Sequence, residues 1–187
     1  MLHRRKLNPT HKEERRVVIT GIGVVSPIGT GIEKFWTNLL AGQSGIEKIT
    51  LFDASSFPCQ IAAEVKDFDA KQYLTPRQIR YFSRGTQFTC GAFALARTDA
   101  GIQQFDPHRT DVVIGTAISA FGIIEEEILK RPDGIAEYKG VSDPSAMFKA
   151  IVSGPAAAVA LLAQTQGYVT TVSSACTSGV NAIGTAY

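Results

Sequence analysis

The sequence predicts an α/β fold built in layers. Two observations carry this. Short β-branched runs recur at residues 16–20, 110–115 and 168–173, and stretches with helical periodicity separate them. The chain has 187 residues, 44% of them hydrophobic, with 17 glycines, which is enough for one domain with its own core and many tight turns.

The first run, Arg16-Val-Val-Ile-Thr20, reads as a strand. It leads into Gly21-Ile-Gly23-Val-Val-Ser26-Pro27. This gives G-x-G-x-x-S, and Pro27 and Gly29 interrupt the helix that a dinucleotide fingerprint needs, so no nucleotide site is expected. Ile32, Phe35, Trp36, Leu39 and Leu40 fall at i, i+3, i+4, i+7 and i+8, which predicts an amphipathic helix over 32–41 that stops at Gly42. Residues 43–74 read as loop and short strand, with a strand at 61–65. Thr75-Pro76 is an N-cap followed by proline at the first helical position. It predicts a helix running to about Ala100, weakened by Gly85 and Gly91. On that helix Arg77, Arg80 and Arg84 share a face, either a solvated surface or a dock for an acidic partner.

Residues 110–115 read as a buried strand and 116–122 as a small-residue connection. A helix is expected over 123–130, with Glu125, Glu126 and Glu127 near its first turn, where they suit the helix dipole. The alanine-rich stretch 147–162 is broken by Ser153-Gly-Pro155, and Pro155 is expected to begin a helix over 156–163. Residues 168–173 form the last strand, after which Cys176 is expected to open the last helix.

That placement singles out Cys176. The positive end of a helix favours the thiolate, the nucleophilic form of cysteine. The alternative is a small buried hydrophobe. Cys59, in a proline-containing loop, and Cys90, in an apolar helical stretch, follow no strand-to-helix turn and read as structural. Three cysteines in no close pair do not make a disulfide framework and suit a reducing cytosol.

Other chemistry is scarce. The histidines are His3, His11 and His108, no Cys/His spacing suggests zinc, and no P-loop or G-x-S-x-G elbow is present, so neither metal nor cofactor is expected. No apolar run approaches the roughly 20 residues of a membrane span. Residues 1–16 hold six cations against two carboxylates, whereas the chain as a whole is +2. Residues 1–15 are therefore expected to be a basic flexible leader. They have no apolar segment of a secretory signal, and no interleaved aromatics support a nucleic-acid arm.

Three blocks then resemble the β-ketoacyl-acyl carrier protein synthases, nearest to the synthase II type. Arg16-Val-Val-Ile-Thr-Gly-Ile-Gly-Val-Val-Ser-Pro-Ile-Gly29, with Phe35-Trp36 and Leu40-Ala-Gly-Gln-Ser-Gly-Ile46, is similar to the opening of that family. Ile114-Gly-Thr116 followed by Gly122-Ile-Ile-Glu-Glu126 is similar to a second block. Ser174-Ala-Cys176-Thr-Ser-Gly179-Val-Asn-Ala-Ile-Gly184 is similar to the nucleophile block. The resemblance implies a thiolase-like layered fold of which residues 16–187 are the N-terminal half, incomplete at the C-terminus.

It also implies acyl transfer to Cys176, then decarboxylative condensation with malonyl-carrier protein in fatty acid elongation. The alternatives are a polyketide or specialised ketosynthase and a non-catalytic half-protein or dimer partner, though such partners typically lack the nucleophile. By the same resemblance Ile118 lines the acyl pocket and Arg77 and Arg80 dock acyl carrier protein. The full-length protein is expected to be a cytoplasmic homodimer. The departures are Gly167-Tyr168 for a frequent Gly-Pro, Asn181 for a frequent histidine, and, above all, the family's two catalytic histidines with their supporting lysine. None of His3, His11 and His108 matches them, so these 187 residues are not expected to condense anything unaided.

Overall fold

The computed structural model describes residues 16–118, 120–129 and 145–187; the basic leader at 1–15, with His3 and His11, lies outside them. The strand predicted at 16–20 does not form. The chain is irregular through residue 24, and Ile19 is 83% exposed. A β-branched run becomes a strand only beside a partner, and among the described residues none pairs with it. What holds this segment is a helix behind it. A Cβ at Gly21 or Gly23 would overlap the carbonyl oxygen of Ala96 or Ala92, so the two glycines let backbone lie directly on backbone. Ile22 N–H donates to Asp99 Oδ2 at 2.8 Å. The G-x-G spacing thus serves packing against that helix.

A tight hairpin follows, β1 (Val25–Ser26) against β2 (Gly29–Thr30), and then α1 (Ile32–Leu40). Gly42, at φ 67°, ends α1 as predicted. The apolar face of α1 is left largely open, with Trp36 and Leu40 exposed. β3 (Ile46–Lys48) and β4 (Ile61–Ala63) pair antiparallel, so the strand expected at 61–65 is present but shorter. The Glu64 carboxylate, just beyond it, accepts hydrogen bonds from Thr50 N–H, Thr50 Oγ1–H and Leu51 N–H.

The long helix predicted from Thr75 is two helices, α2 (Pro76–Tyr81) and α3 (Arg84–Asp99). Thr75 and Gln78 form the expected capping box. The break comes at Phe82, whose extended backbone (φ −98°, ψ 135°) turns its ring into the core beside Leu74, Cys90 and Ala158. Ser83 then caps α3 by accepting Thr86 N–H, and Gln87 Nε2 donates to the Ile79 and Phe82 carbonyls that α2 leaves open. Burying an aromatic ring and recapping both ends outweighs the propensity for one continuous helix.

β5 (Val112–Gly115) and β6 (Val169–Val172) pair in parallel, Val112 opposite Val169 and Gly115 opposite Val172. A parallel pair needs a long crossover. Here it contains α4 (Phe121–Leu129), α5 (Ala146–Ala150) and α6 (Gly154–Ala163). α4 begins two residues before its predicted start, so Glu125 falls in the second turn rather than the first; Lys130 lies outside the described residues. α6, opened by Pro155 as expected, packs between α3 and the strands through Ala156, Ala158 and Val159. α7 (Ser178–Ala186) follows β6 and lies across the end of β5.

The close approach at Gly23 gives a direct test. Gly23→Ala should destabilise the protein by about 1–3 kcal/mol in urea unfolding, because the Ala92 carbonyl cannot move without α3. Gly122→Ala, in a helix with open space at its Cβ position, should gain about 0.5–1 kcal/mol. Equal effects would refute the packing role of Gly23.

Candidate active site

β6 ends at Val172 and the chain turns sharply. Ala175 takes a left-handed conformation, φ 53°, which costs a residue with a Cβ about 1–3 kcal/mol. Cys176 follows at the centre of a single 3-10 turn, Ala175–Thr177, and α7 begins at Ser178. Cys176 therefore sits just ahead of the helix rather than opening it, and its side chain is exposed. The order strand, tight turn, thiol, helix stands as predicted.

Hydroxyl groups hold this turn in place. Ser178 Oγ accepts Ser174 N–H at 2.9 Å and donates to the Ala175 carbonyl at 2.7 Å. Thr177 Oγ1 donates to the Ser174 carbonyl at 2.8 Å. Asn181, the residue that departs from the family pattern, donates from Nδ2 to Ser174 Oγ at 2.8 Å. Each bond spans three to seven residues, so the turn is braced locally from both sides. The reading of the sequence missed Asn181 as a brace and Ala175 as a left-handed residue. Alanine is no turn signal, and only the density of small hydroxylated residues at 173–178 pointed to such a network.

The loop leaving β5 lies beside this turn. Thr116 N–H donates to the Val172 carbonyl at 3.1 Å, and Ser173 Oγ donates to the Ala117 carbonyl at 3.2 Å. Ile118, one residue further on, is 68% exposed and lines a cavity of about 230 Å3. Gly115 makes the arrangement possible, since a Cβ there would overlap the Ser178 carbonyl oxygen. Cys176 and Ile118 are thus brought to the carboxyl ends of two neighbouring parallel strands, where α/β sheets form their ligand crevices.

The arginine face does not survive intact. Arg77 and Arg80 lie exposed on α2, but Arg84 belongs to α3 and stacks over the rings of Phe88 and Phe68, 4.5 and 5.3 Å from their centroids. The break at Phe82 separates it from the other two. His108 sits in the turn before β5, at the opposite end of that strand from Ile118. Among the described residues no cluster of His, Cys, Asp and Glu could hold a metal ion, and no helix is long and apolar enough to cross a membrane.

The cysteines differ in environment. Cys90 is fully buried, and burial pushes its thiol up to about 12. Cys59 is exposed, its thiol 3.6 Å from the Ile61 carbonyl.

Comparison with known proteins found similarity along most of the chain. The family profile described as "Beta-ketoacyl synthase, N-terminal domain" matches residues 14–187. The 3-oxoacyl-[acyl-carrier-protein] synthase 2 of Coxiella burnetii is 39% identical, over 92% of this chain and 41% of that protein. The ketoacyl synthase alpha subunit of the tetracenomycin polyketide synthase of Streptomyces glaucescens is 36% identical, over 94% of this chain and 42% of that protein. Among solved structures, the ishigamide ketosynthase/chain length factor superposes with a TM-score of 0.76 at 28% identity, covering 92% of this chain and 45% of that one. A ketosynthase bound to a hexaketide, in complex with its type II polyketide synthase acyl-carrier protein, gives 0.73 at 29% identity, covering 92% and 41%. The chain spans about two fifths of the length of the curated relatives it matches.

The buried thiol sets a pH dependence. Its raised value disfavours ionisation in the folded state, so the stability it contributes is complete below about pH 9 and falls as pH rises toward 12. Urea unfolding should show this decline, and Cys90→Ala should remove it. Iodoacetamide at neutral pH should label Cys176 and leave Cys90 unmodified until the protein unfolds; native labelling of Cys90 would contradict its burial.

Proposed function

The chain belongs to the β-ketoacyl synthase family through that family's N-terminal domain, and on this premise we propose that Cys176 accepts an acyl group from an acyl-carrier protein or coenzyme A thioester. The observation that carries the reading is the braced turn. It presents an exposed thiol ahead of a nine-residue helix, on a backbone whose strain only the surrounding hydrogen bonds can maintain.

In the acyl transfer, the Cys176 thiolate attacks the thioester carbonyl carbon. A bond forms between that carbon and the Cys176 sulfur, and the negative charge passes to the carbonyl oxygen. The Cys176 N–H lies in the 3-10 turn ahead of α7, where no preceding helical turn supplies a carbonyl, and it donates to that oxyanion. Collapse of the adduct breaks the original carbon–sulfur bond, and the carrier thiolate leaves and takes a proton from solvent. In the full-length protein, malonyl-carrier protein then loses carbon dioxide. Its carbanion attacks the acyl carbon, forms the new carbon–carbon bond and releases the Cys176 thiolate. The histidines and lysine that the family resemblance demands for this second stage match no position of residues 1–187, so these residues are not expected to carry out that stage alone.

Arg77 and Arg80, adjacent on the exposed face of α2, are proposed to dock the acidic carrier protein, and the enzyme to work as a cytoplasmic homodimer in fatty acid elongation. A carrier-protein complex of a structural neighbour supports the partner. A second reading, polyketide chain extension, has its own support in the similarity to a polyketide ketosynthase subunit.

In the full-length enzyme, Cys176→Ala should lower kcat/KM for condensation by about a thousandfold or more; retention of activity would refute the nucleophile assignment. Charge reversal in Arg77→Glu/Arg80→Glu should raise KM for carrier-protein-bound substrate more than for the coenzyme A thioester. An equal effect on both substrates would remove the docking role.

A further inference from the structure

A single amide meets both flanks of Cys176. Asn181 Nδ2 lies 2.8 Å from Ser174 Oγ and 3.4 Å from Thr177 Oγ1. One of these residues stands two before the thiol and the other directly after it. Their hydroxyl oxygens are 3.2 Å apart. Thr177 gives its only hydroxyl hydrogen to the Ser174 carbonyl at 2.8 Å, so toward the amide it can only accept. The atom of Asn181 that faces the pair is therefore the nitrogen, whose two hydrogens serve one oxygen each.

This fork differs from the bonds made by Ser178. Ser178 Oγ fixes the main chain ahead of the thiol, at Ser174 and Ala175, and does not reach residue 177. Asn181 joins 174 to 177 across Cys176. It does so from α7, whose stretch on either side of it is held by the buried Ser178 and Ala182. The Asn181 side chain is itself exposed, and an exposed hydrogen bond adds little to the stability of a fold. What such a bond does supply is direction, because it ties two flexible hydroxyls to a fixed point.

We propose that Asn181 is a positioning residue for acyl transfer: its amide clamps Ser174 to Thr177 and so holds the Cys176 sulfur and the Cys176 N–H in a fixed relation. This rests on the reading that Cys176 accepts the acyl group. Transfer needs the sulfur at the carbonyl carbon and the N–H at its oxygen together, and a misplacement of about 1 Å can cost a hundredfold. Alkylation by a small reagent needs only the sulfur. The clamp therefore matters to the first reaction and not to the second. Histidine, the residue that the family resemblance sets at this position, has Nδ1 the same number of bonds from the main chain, and Nδ1–H can donate in place of the amide.

The test compares two reactions of Cys176 in the full-length protein, acylation by octanoyl-coenzyme A and alkylation by iodoacetamide, each followed by the mass of the peptide that contains Cys176. Asn181→Ala should lower the maximal rate of acylation about tenfold, leave the half-saturating thioester concentration unchanged, and alter the alkylation rate by less than about twofold. Asn181→His, which keeps a donor, should bring acylation back to within about threefold of the wild-type rate. Ser174→Ala removes the other end of the clamp and should match Asn181→Ala, and it carries the same expectation if Asn181→Ala does not fold. The double variant should be no slower than either single one, because one link can be lost only once. A merely structural role would instead lower the urea midpoint and slow acylation and alkylation together. That result would overturn the proposal, and so would unchanged acylation in Asn181→Ala or additive losses in the double variant. If wild-type Cys176 takes up no octanoyl group, the acyl-acceptor reading falls, and the proposal falls with it.

Discussion

The Ser178 hydroxyl is the point on which the site depends. It is buried, and it bonds the backbone on both sides of the left-handed residue, Ser174 N–H before it and the Ala175 carbonyl at it. Without those bonds, Ala175 has no reason to stay at positive φ, and the chain would leave β6 in another direction. Ser178 is itself held by packing. Its carbonyl lies where a Cβ of residue 115 would be, so only glycine at the end of β5 lets α7 come close enough. Strand, turn and helix therefore fix one another, and the thiol of Cys176 inherits its position from all three.

The same economy runs through the core. Its most buried members are small: Cys90, Ala156 and Ala158, with Val159 and Val112 close by. Small side chains let α6 lie close between α3 and the strands, and Gly21 and Gly23 do the same for the N-terminal segment on α3. Several larger apolar residues lie outside the core, although Phe68, Leu74 and Phe82 are buried. Trp36 and Leu40 on α1 and Val180 and Ile183 on α7 are all exposed. Apolar faces of this extent mark surfaces that another surface covers, and the relatives this chain resembles are more than twice its matched length.

Much of this was legible in the sequence because the signals were local. The period of Ile32, Phe35, Trp36, Leu39 and Leu40 gave α1, the Thr75-Pro76 pair gave the start of α2, and Gly42 and Pro155 marked a helix end and a helix start where they were expected. The small-residue turn before Cys176 was read correctly as a strand-to-helix junction. What could not be read depended on distant partners. The β-branched run at 16–20 has no strand beside it and stays irregular. The helix from Thr75 breaks because Phe82 finds a core made by Leu74 and Ala158, one of them far away in sequence. Arg84 leaves the arginine face for two phenylalanine rings. The family resemblance supplied Ile118, to which periodicity and spacing gave no clue, while the bracing role of Asn181 emerged only with the fold.

The account turns on covalent acylation at one sulfur, and peptide mapping of the acyl-enzyme tests it most directly. The full-length protein is incubated with acyl-carrier protein thioester in the absence of malonyl donor, digested, and each cysteine peptide is weighed. The account predicts the acyl mass on the peptide containing Cys176, in near-stoichiometric amount, with the exposed Cys59 unmodified. An acyl group found on Cys59, or condensation that proceeds while Cys176 never carries one, would contradict it.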